Sequence, residues 1–433
     1  MKLRVTTLTA LYFGWLISLQ AADTNLPQWD LVALAKAPTV VETQLGKVAG
    51  LQSLFIEGLP YKGKPTKFYA YLGFPTNVMG KVPAVVLVHG GGGTALADWV
   101  KYWTAKGYAA LSLDTEGQIP VRTIPKTPEE KPQWQTIGSL NLGWVGGPQR
   151  GAPMMNFNAQ LPIAMQDQWL YQAVANSIRS VSLLASRSEV DTHRIGIVGI
   201  SWGSVICSLV GGIDDRLAFV VPQYIGGNLK LGNVWYDYMK AHPETFDWDP
   251  ANFYMNKPGK TQWFWISGID TYGLPPMLTA SWRGTGPNSW LTLSPTLGHS
   301  HIFGETGKDS VREIYAFADS VTKGTPPLTR IQKTTLEKDW VTLTWAATVP
   351  VTHAQLIYTA EPIPVVAIAG EQRKDWKSVH YEVRDLALPK ITNLPDKCKQ
   401  VAFQLPAGMK AGYINLIDSR GLAVSCDFLE PQP

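Results

Sequence analysis

The sequence predicts an α/β fold, in which a mostly parallel sheet is flanked by helices, followed by a small C-terminal β-sandwich domain. Short apolar runs such as residues 83–88 and 108–113 alternate with segments of helical periodicity such as 167–186. Strands buried on both faces of a parallel sheet have this continuous apolar pattern, and alternation with helices indicates right-handed crossovers. From about residue 326, short alternating strands separated by turn residues predict a sandwich of about 100 residues.

The individual elements are predicted from their apolar periodicity and from the turn residues at their ends. After an irregular region at 23–66, sheet strands are expected at 67–74, 83–88, 108–113, 195–200, 217–222, 262–267 and 290–293. Helices are expected at 94–106, 167–186, 204–210, 276–282 and 311–321, with Asp167 as the N-cap of the second. Sandwich strands are expected at 342–345, 354–358, 378–383, 401–405 and 412–416. The stretches 115–166 and 224–259 are too long for ordinary connections, so we expect insertions that wall a substrate pocket.

Length, composition and charge limit the classes of protein to consider. The 433 residues suit two domains, which we expect at 23–325 and 326–433. With 45% hydrophobic and 17% charged residues, the chain is expected to be globular rather than disordered. The net charge is only +4 and no Lys/Arg block marks a nucleic-acid groove, so no nucleic-acid partner is expected. No pattern in the sequence indicates an oligomeric state.

The N-terminus has the pattern of a secretory signal peptide, expected at residues 1–22. Lys2 and Arg4 form a basic region, an apolar stretch follows at 5–19, and Ala21 and Ala22 are small residues suited to cleavage. A membrane anchor is the alternative, but the apolar stretch of about 15 residues is shorter than the roughly 20 that span a bilayer. We therefore expect a secreted or periplasmic protein without stable membrane insertion.

The three cysteines do not indicate a metal site. Cys207 is expected to be a buried small hydrophobe, whereas Cys398 and Cys426 could pair in an oxidising compartment. No Cys/His spacing is typical of zinc, so we expect neither a metal nor a cofactor.

The segment Gly199-Ile200-Ser201-Trp202-Gly203 follows an apolar strand and precedes a helix. This is the sequence of a nucleophile elbow, a sharp turn that exposes one serine. Side chains at the two glycines are expected to crowd the neighbouring strand and helix. Because the motif is short, an ordinary structural turn is the alternative, and the other loops of the predicted sheet decide between them.

A glycine run, residues 90–93, follows His89 after the first buried strand. In this fold class, an N–H of that loop and the N–H after the nucleophile form an oxyanion hole, here Gly91 or Gly92 with Trp202. A tight turn or a phosphate loop is the alternative, but the Gly-Lys-Ser/Thr of the phosphate loop is absent.

Two histidines, His299 and His301, follow the last predicted strand, where a general base belongs. We favour His299, which lies closer to the strand end, and expect His301 to pack or cap the loop. Asp270, after the preceding strand, completes the chain order Ser, Asp, His and is the candidate acid. An ordinary strand-end turn also accounts for an aspartate there.

These motifs resemble the α/β-hydrolase superfamily over residues 67–323, and more specifically its secreted bacterial dienelactone-hydrolase-like and acetylxylan-esterase-like group. Residues 167–174, 199–203, 265–268 and 298–301 carry the resemblance, and 414–421 resemble the appended β domain. The resemblance implies deacylation of a small ester, often an acetyl group on a sugar or xylan. This family usually carries its acid three residues after the strand-end glycine, which is Thr271 here, so Asp270 lies one residue early.

The sequence as a whole predicts an exported serine esterase with a Ser201–His299–Asp270 triad and an acyl-enzyme intermediate. Its expected substrate is a small ester or acylated carbohydrate, with Trp134 and Trp144 as candidate sugar platforms; packing within the loop explains these tryptophans equally well. A secreted serine peptidase with the same triad is one alternative function. A non-catalytic carbohydrate-binding protein is another, and the β domain could bind glycan or simply shield the sheet.

Overall fold

The structure is a computed structural model that describes residues 26–122, 134–137, 164–233, 235–255, 259–270, 272–300, 310–361, 376–382 and 398–431. The predicted signal peptide therefore lies outside the described residues. Within those ranges, no helix has the length and apolar character needed to cross a membrane.

The first three quarters of the described chain contain both strands and helices, and a helix separates most neighbouring strands of the parallel part. The strands there are β1 Val40–Glu42, β2 Gln52–Glu57, β3 Lys67–Gly73, β4 Val82–Val88, β5 Ala109–Leu113, β6 Ile119–Arg122, β7 Trp134–Ile137, β8 Val190–Ile200, β9 Phe219–Gln223, β10 Gln262–Gly268 and β11 Ser289–Ser294. The helices are α1 Leu31–Leu34, α2 Ala97–Ala105, α3 Trp169–Ala185, α4 Trp202–Ile213, α5 Tyr236–Ala241, α6 Ala251–Tyr254, α7 Pro275–Gly284 and α8 Arg312–Lys323.

Among the described residues, nine strands form one sheet in the order β1-β2-β3-β5-β4-β8-β9-β10-β11. The pairs from β1 to β5 are antiparallel, and those from β5 to β11 are parallel. Every residue of β4 is buried, so both faces of the sheet are covered there. The predicted α/β-hydrolase fold is confirmed. The glycine run follows β4, the elbow follows β8, and the predicted acid and base follow β10 and β11. Because these strands are all parallel, their carboxyl ends meet at one edge of the sheet.

Two local predictions were wrong. The region expected to be irregular contains β2, whose four central residues, Ser53 to Ile56, are buried and which pairs with β3. Asp167 is not the N-cap of α3, because a 3-10 turn occupies residues Met165–Asp167 and the helix begins at Trp169 after Gln168. Pairing with β3 makes β2 a strand, whereas before α3 a local turn, in which the N–H of Asp167 donates to the carbonyl of Ala164, takes the place of an N-cap.

The C-terminal region forms two antiparallel sheets, as expected for a small sandwich. Its strands are β12 Arg330–Glu337, β13 Trp340–Ala346, β14 Val351–Thr359, β15 Lys377–Glu382, β16 Cys398–Gln404, β17 Ala411–Asp418 and β18 Ala423–Ser425. Their orders are β12-β13-β16 and β15-β14-β17-β18. Cys426, just after β18, is a free, buried thiol in this structure rather than a disulfide partner.

Two side chains of the sandwich form hydrogen bonds with the backbone of β11, one of the two edge strands of the large sheet. The N–H of Leu293 donates to Ser425 Oγ at 2.6 Å, and Asn415 Nδ2 donates to the carbonyl of Leu293 at 3.0 Å. The Ser425 hydroxyl in turn donates to Asn415 Oδ1 at 2.5 Å. These bonds satisfy the backbone N–H and carbonyl of Leu293, which would otherwise be unpaired and buried at the edge of the sheet.

Candidate active site

The turn that follows β8 places Ser201 in an unusual backbone conformation, with φ 56° and ψ −115°. A Cβ added to Gly199 would lie 1.9 Å from the carbonyl oxygen of Gly203, and one added to Gly203 would lie 2.1 Å from that of Val88. Atoms cannot approach so closely, so both positions require glycine, as the sequence predicted. The elbow thus depends on close backbone contact between β4, β8 and α4.

Cys207 lies one turn into α4, beneath the elbow. Its side chain is fully buried, and burial raises the pKa of its thiol well above the ordinary value. Since the thiolate is the reactive form, this cysteine is inert and packs as a small hydrophobic group, as predicted.

The structure brings together the three residues predicted for catalysis. Ser201 Oγ lies 2.8 Å from His299 Nε2, and His299 Nδ1 is hydrogen-bonded to Asp270 Oδ2. Asp270 is buried, whereas 22% of the His299 side chain is exposed. This arrangement lets the imidazole accept a proton from the serine while the carboxylate holds its opposite nitrogen.

The loops after β10 and β11 approach each other closely enough to join the acid and the base. A Cβ on Gly268, the last residue of β10, would lie 1.8 Å from the carbonyl oxygen of Leu297. This contact brings Asp270 within reach of His299 although it comes one residue earlier than in the resembled family. The family position, Thr271, and the alternative base, His301, lie outside the described residues.

The glycine loop is held by a buried glutamate that sequence reasoning missed. The N–H of Gly92, at φ 75°, donates to Glu116 Oε1 at 2.9 Å. Glu116 is 6% exposed, and its own N–H donates to the Asp114 carboxylate at 3.2 Å. The N–H of Gly92 is therefore already bonded to Glu116, which leaves Gly91 as the candidate oxyanion donor of this loop.

His89 anchors the beginning of the same loop. It is buried; the N–H of Thr115 donates to its Nε2 at 3.0 Å, and its Nδ1 lies 2.7 Å from the carbonyl oxygen of Gly90. Since Nε2 accepts this bond, we assign the ring proton to Nδ1, where it donates to Gly90. His89 therefore supports the beginning of the glycine loop through both of its ring nitrogens.

Aromatic rings from other segments surround the elbow. Trp202 stacks on Trp235, with ring centroids 4.2 Å apart, and meets the edge of Trp169 at 6.1 Å. Trp235 belongs to the insertion 224–259, so this insertion does reach the elbow. The backbone of Trp134 lies in β7, but its side chain and all of Trp144 lie outside the described residues.

Two tyrosines, Tyr224 and Tyr272, place their rings against His299. Neither tyrosine was predicted to belong to the site. The available signal was their position, since Tyr224 directly follows β9 and Tyr272 comes two residues after the predicted acid. Residues just beyond the carboxyl ends of parallel strands line the site in this class of fold.

A family model for acetyl xylan esterases matches residues 56–225. The matched span contains the glycine loop and Ser201 and ends before Asp270 and His299. No curated protein matches the sequence significantly.

Several solved structures are similar to this chain. The acetyl xylan esterase from Paenibacillus sp. R4 has 18% identity over 63% of this chain and 87% of its own, with a TM-score of 0.44. Acetyl xylan esterase 1 from Thermoanaerobacterium sp. JW/SL YS485 has 18% identity over 63% and 87%, with a TM-score of 0.43. A carbohydrate esterase family 15 glucuronoyl esterase from Caldicellulosiruptor kristjansonii has 13% identity over 67% and 80%, with a TM-score of 0.43. Over residues 56–225, the family match confirms the resemblance that the glycine-loop and elbow motifs indicated.

Proposed function

We propose that this chain, a carboxylic-ester hydrolase of the acetylxylan-esterase-like group, is a serine esterase that removes small acyl groups, chiefly acetyl, from carbohydrates such as acetylated xylan. The observation that carries the proposal is the continuous hydrogen-bonded chain from Ser201 Oγ through His299 to Asp270. The family match supports the carbohydrate ester as substrate, because the matched segment contains the serine.

The reaction begins with attack of Ser201 Oγ on the ester carbonyl carbon. His299 Nε2 takes the hydroxyl proton and then gives it to the alcohol oxygen as the carbon–oxygen bond of the ester breaks. Asp270 holds the tautomer in which Nε2 is available and stabilises the imidazolium that forms. His299 next takes a proton from water, whose oxygen attacks the acyl carbon. It then gives that proton to Ser201 Oγ as the bond between Oγ and the acyl carbon breaks, which releases the acid and restores the serine.

Negative charge develops on the carbonyl oxygen during the attack, and hydrogen-bond donors that are already in position stabilise it. The backbone N–H of Trp202, the first residue of α4, and that of Gly91 in the glycine loop are our proposed donors. The N-terminal end of α4 adds a favourable helix dipole at the same point.

The predicted signal peptide suits this substrate, because plant polysaccharides are met outside the cell. We therefore propose that the enzyme is exported to the periplasm or the medium after cleavage near Ala21 or Ala22.

Hydrolysis of p-nitrophenyl esters from acetyl to butyryl and longer, and acetate release from acetylated xylan, test the proposal. We expect turnover that is highest for acetyl and is abolished in Ser201→Ala. Ser188→Ala, which removes an exposed hydroxyl before β8, is the matched control and keeps full activity. No acetyl turnover above the Ser201→Ala background would contradict the esterase assignment, and cleavage of acyl-peptides but not esters would favour a peptidase.

A further inference from the structure

The imidazole of His299 is in contact with two aromatic rings. The ring centroids of Tyr224 and Tyr272 lie 4.5 Å and 4.3 Å from the imidazole centroid, each tilted by 31°. We infer that these two residues, the tyrosine pair, stabilise the imidazolium form of His299 through their ring faces and fix the orientation of the ring. The inference rests on the proposed function, in which His299 is the proton acceptor.

The tilt and distance suit attraction of a cation to an aromatic ring. Both centroids lie within the roughly 6 Å over which a cation is attracted to the negative face of a ring. Planes inclined by 31° are closer to stacked than to edge-on, so the tyrosines present their faces rather than their positively polarised edges. A neutral imidazole gains little from this arrangement, whereas an imidazolium gains an electrostatic attraction.

This difference in attraction favours the transition states over the resting enzyme. His299 becomes positively charged as it accepts a proton in acylation and again in deacylation. An interaction that strengthens only when the charge develops raises kcat, whereas equal stabilisation of both states does not. The tyrosine pair is therefore expected to act on kcat and to leave KM largely unchanged.

Tyr272 is tied to the acid that orients the same imidazole. Its backbone N–H donates to Asp270 Oδ1 at 2.8 Å, while Asp270 Oδ2 is bonded to His299 Nδ1. One residue thus uses its backbone to hold the carboxylate and its ring to contact the base. A shift of Tyr272 would disturb both groups together.

Tyr224 is held by the strands that carry the nucleophile and the acid. Its N–H donates to the carbonyl of Ile266 in β10 at 2.8 Å, and the carbonyl of the preceding Gln223 accepts the N–H of Ser201 at 2.9 Å. Its φ of 82° is unfavourable for a residue with a side chain. Such strain persists only where the surroundings enforce it, and it clusters at functional sites.

The ring of Tyr224, rather than its hydroxyl, is suited to this role. The side chain is fully buried, and burial raises the pKa of its phenol above the ordinary value. The phenol therefore stays protonated throughout the range in which a histidine works as a base, and the residue contributes a neutral π face.

Fluorinated phenylalanines at position 272 test the inference, because fluorine withdraws charge from the ring face with little change of shape. The series compares Tyr272→Phe with its mono-, di- and trifluorinated forms on p-nitrophenyl acetate, and Tyr272→Leu removes the ring. We expect kcat of Tyr272→Phe within about twofold of the wild type. We then expect a stepwise fall of about five- to tenfold across the fluorinated forms at constant KM. Tyr272→Leu should be at least as slow as the slowest of these.

The same fluorinated series at Tyr102, a 42% exposed residue of α2, is the matched control and should show no trend. Absence of turnover in the wild type, or equal turnover in Ser201→Ala, would overturn the proposed function itself. Wild-type turnover with a flat series at position 272, or with changes confined to KM, would overturn only the role of the tyrosine pair. A flat series with a slow Tyr272→Leu variant would show that the ring acts by packing alone.

Discussion

Ser201 and Tyr224 are both residues with side chains that adopt a positive φ, 56° and 82°, and they directly follow the neighbouring strands β8 and β9. Each such conformation costs on the order of 1–3 kcal/mol. The glycines around Ser201 were predictable from the motif, because only glycine allows the close contacts of the elbow. Tyr224 was not, since no local pattern marks a tyrosine that must adopt this conformation.

The substitution Asp270→Asn is expected to lower kcat strongly without changing stability. In Asp270→Asn, the amide oxygen can still accept the N–H of Tyr272, so the thermal stability should be close to wild type. An uncharged amide neither stabilises the imidazolium nor selects the required tautomer, so we expect kcat on acetyl esters to fall by about 10³- to 10⁴-fold. Steady-state kinetics and a melting curve on the same preparation check both statements.

Asn288→Asp is the control for handling and purity and should keep wild-type kcat, because this exposed residue precedes β11 and so lies at the opposite end of that strand from the loop with His299. If Asp270→Asn kept kcat within about tenfold of wild type, another acid would have to orient His299. The position of Asp270, one residue earlier than the acid of the resembled family, would then indicate that this chain uses a different acid in its triad.

At the scale of elements, the loops beyond β4 and β5 form one supported unit. The glycine run was predicted as an oxyanion loop from its position after a buried strand. Its support by Glu116 could not be predicted, because glutamate is rarely buried and its partner is a backbone amide 24 residues away. In the same way, β2 was missed because its pairing with β3, rather than its own short pattern, makes it a strand.

Two substitutions of Glu116 test whether its side chain fixes the glycine loop. Glu116→Gln keeps an oxygen that can accept the Gly92 N–H, so kcat should stay within a few-fold of wild type. Glu116→Ala removes the acceptor and releases the loop, and we expect a fall in kcat of about 10- to 100-fold, less than for loss of an oxyanion donor itself. The comparison requires kcat and KM for both variants with one acetyl ester. Equal kcat in Glu116→Ala and wild type would show that the loop is fixed by other contacts.

In the molecule as a whole, the sandwich is joined to the edge of the large sheet by hydrogen bonds between buried groups. Ser425 and Asn415 bond to the backbone of Leu293 in β11, six residues before His299. The sequence predicted the change from buried parallel strands to short alternating strands near residue 326. It could not predict this docking, because the partners lie more than 120 residues apart. The interface supports a structural role for the sandwich in bracing the strand that leads to the base.

Covalent trapping tests directly whether Ser201 is the nucleophile. The full-length mature protein is treated with an organophosphate such as diethyl p-nitrophenyl phosphate, and the modified residue is identified by peptide mass spectrometry. We expect one phosphoryl group per chain, attached to Ser201, with loss of esterase activity in proportion to labelling. Labelling should be slowed by at least about 100-fold in His299→Ala, because the serine then lacks its base. Labelling of another residue, or full inactivation with Ser201 unmodified, would show that Ser201 is not the nucleophile.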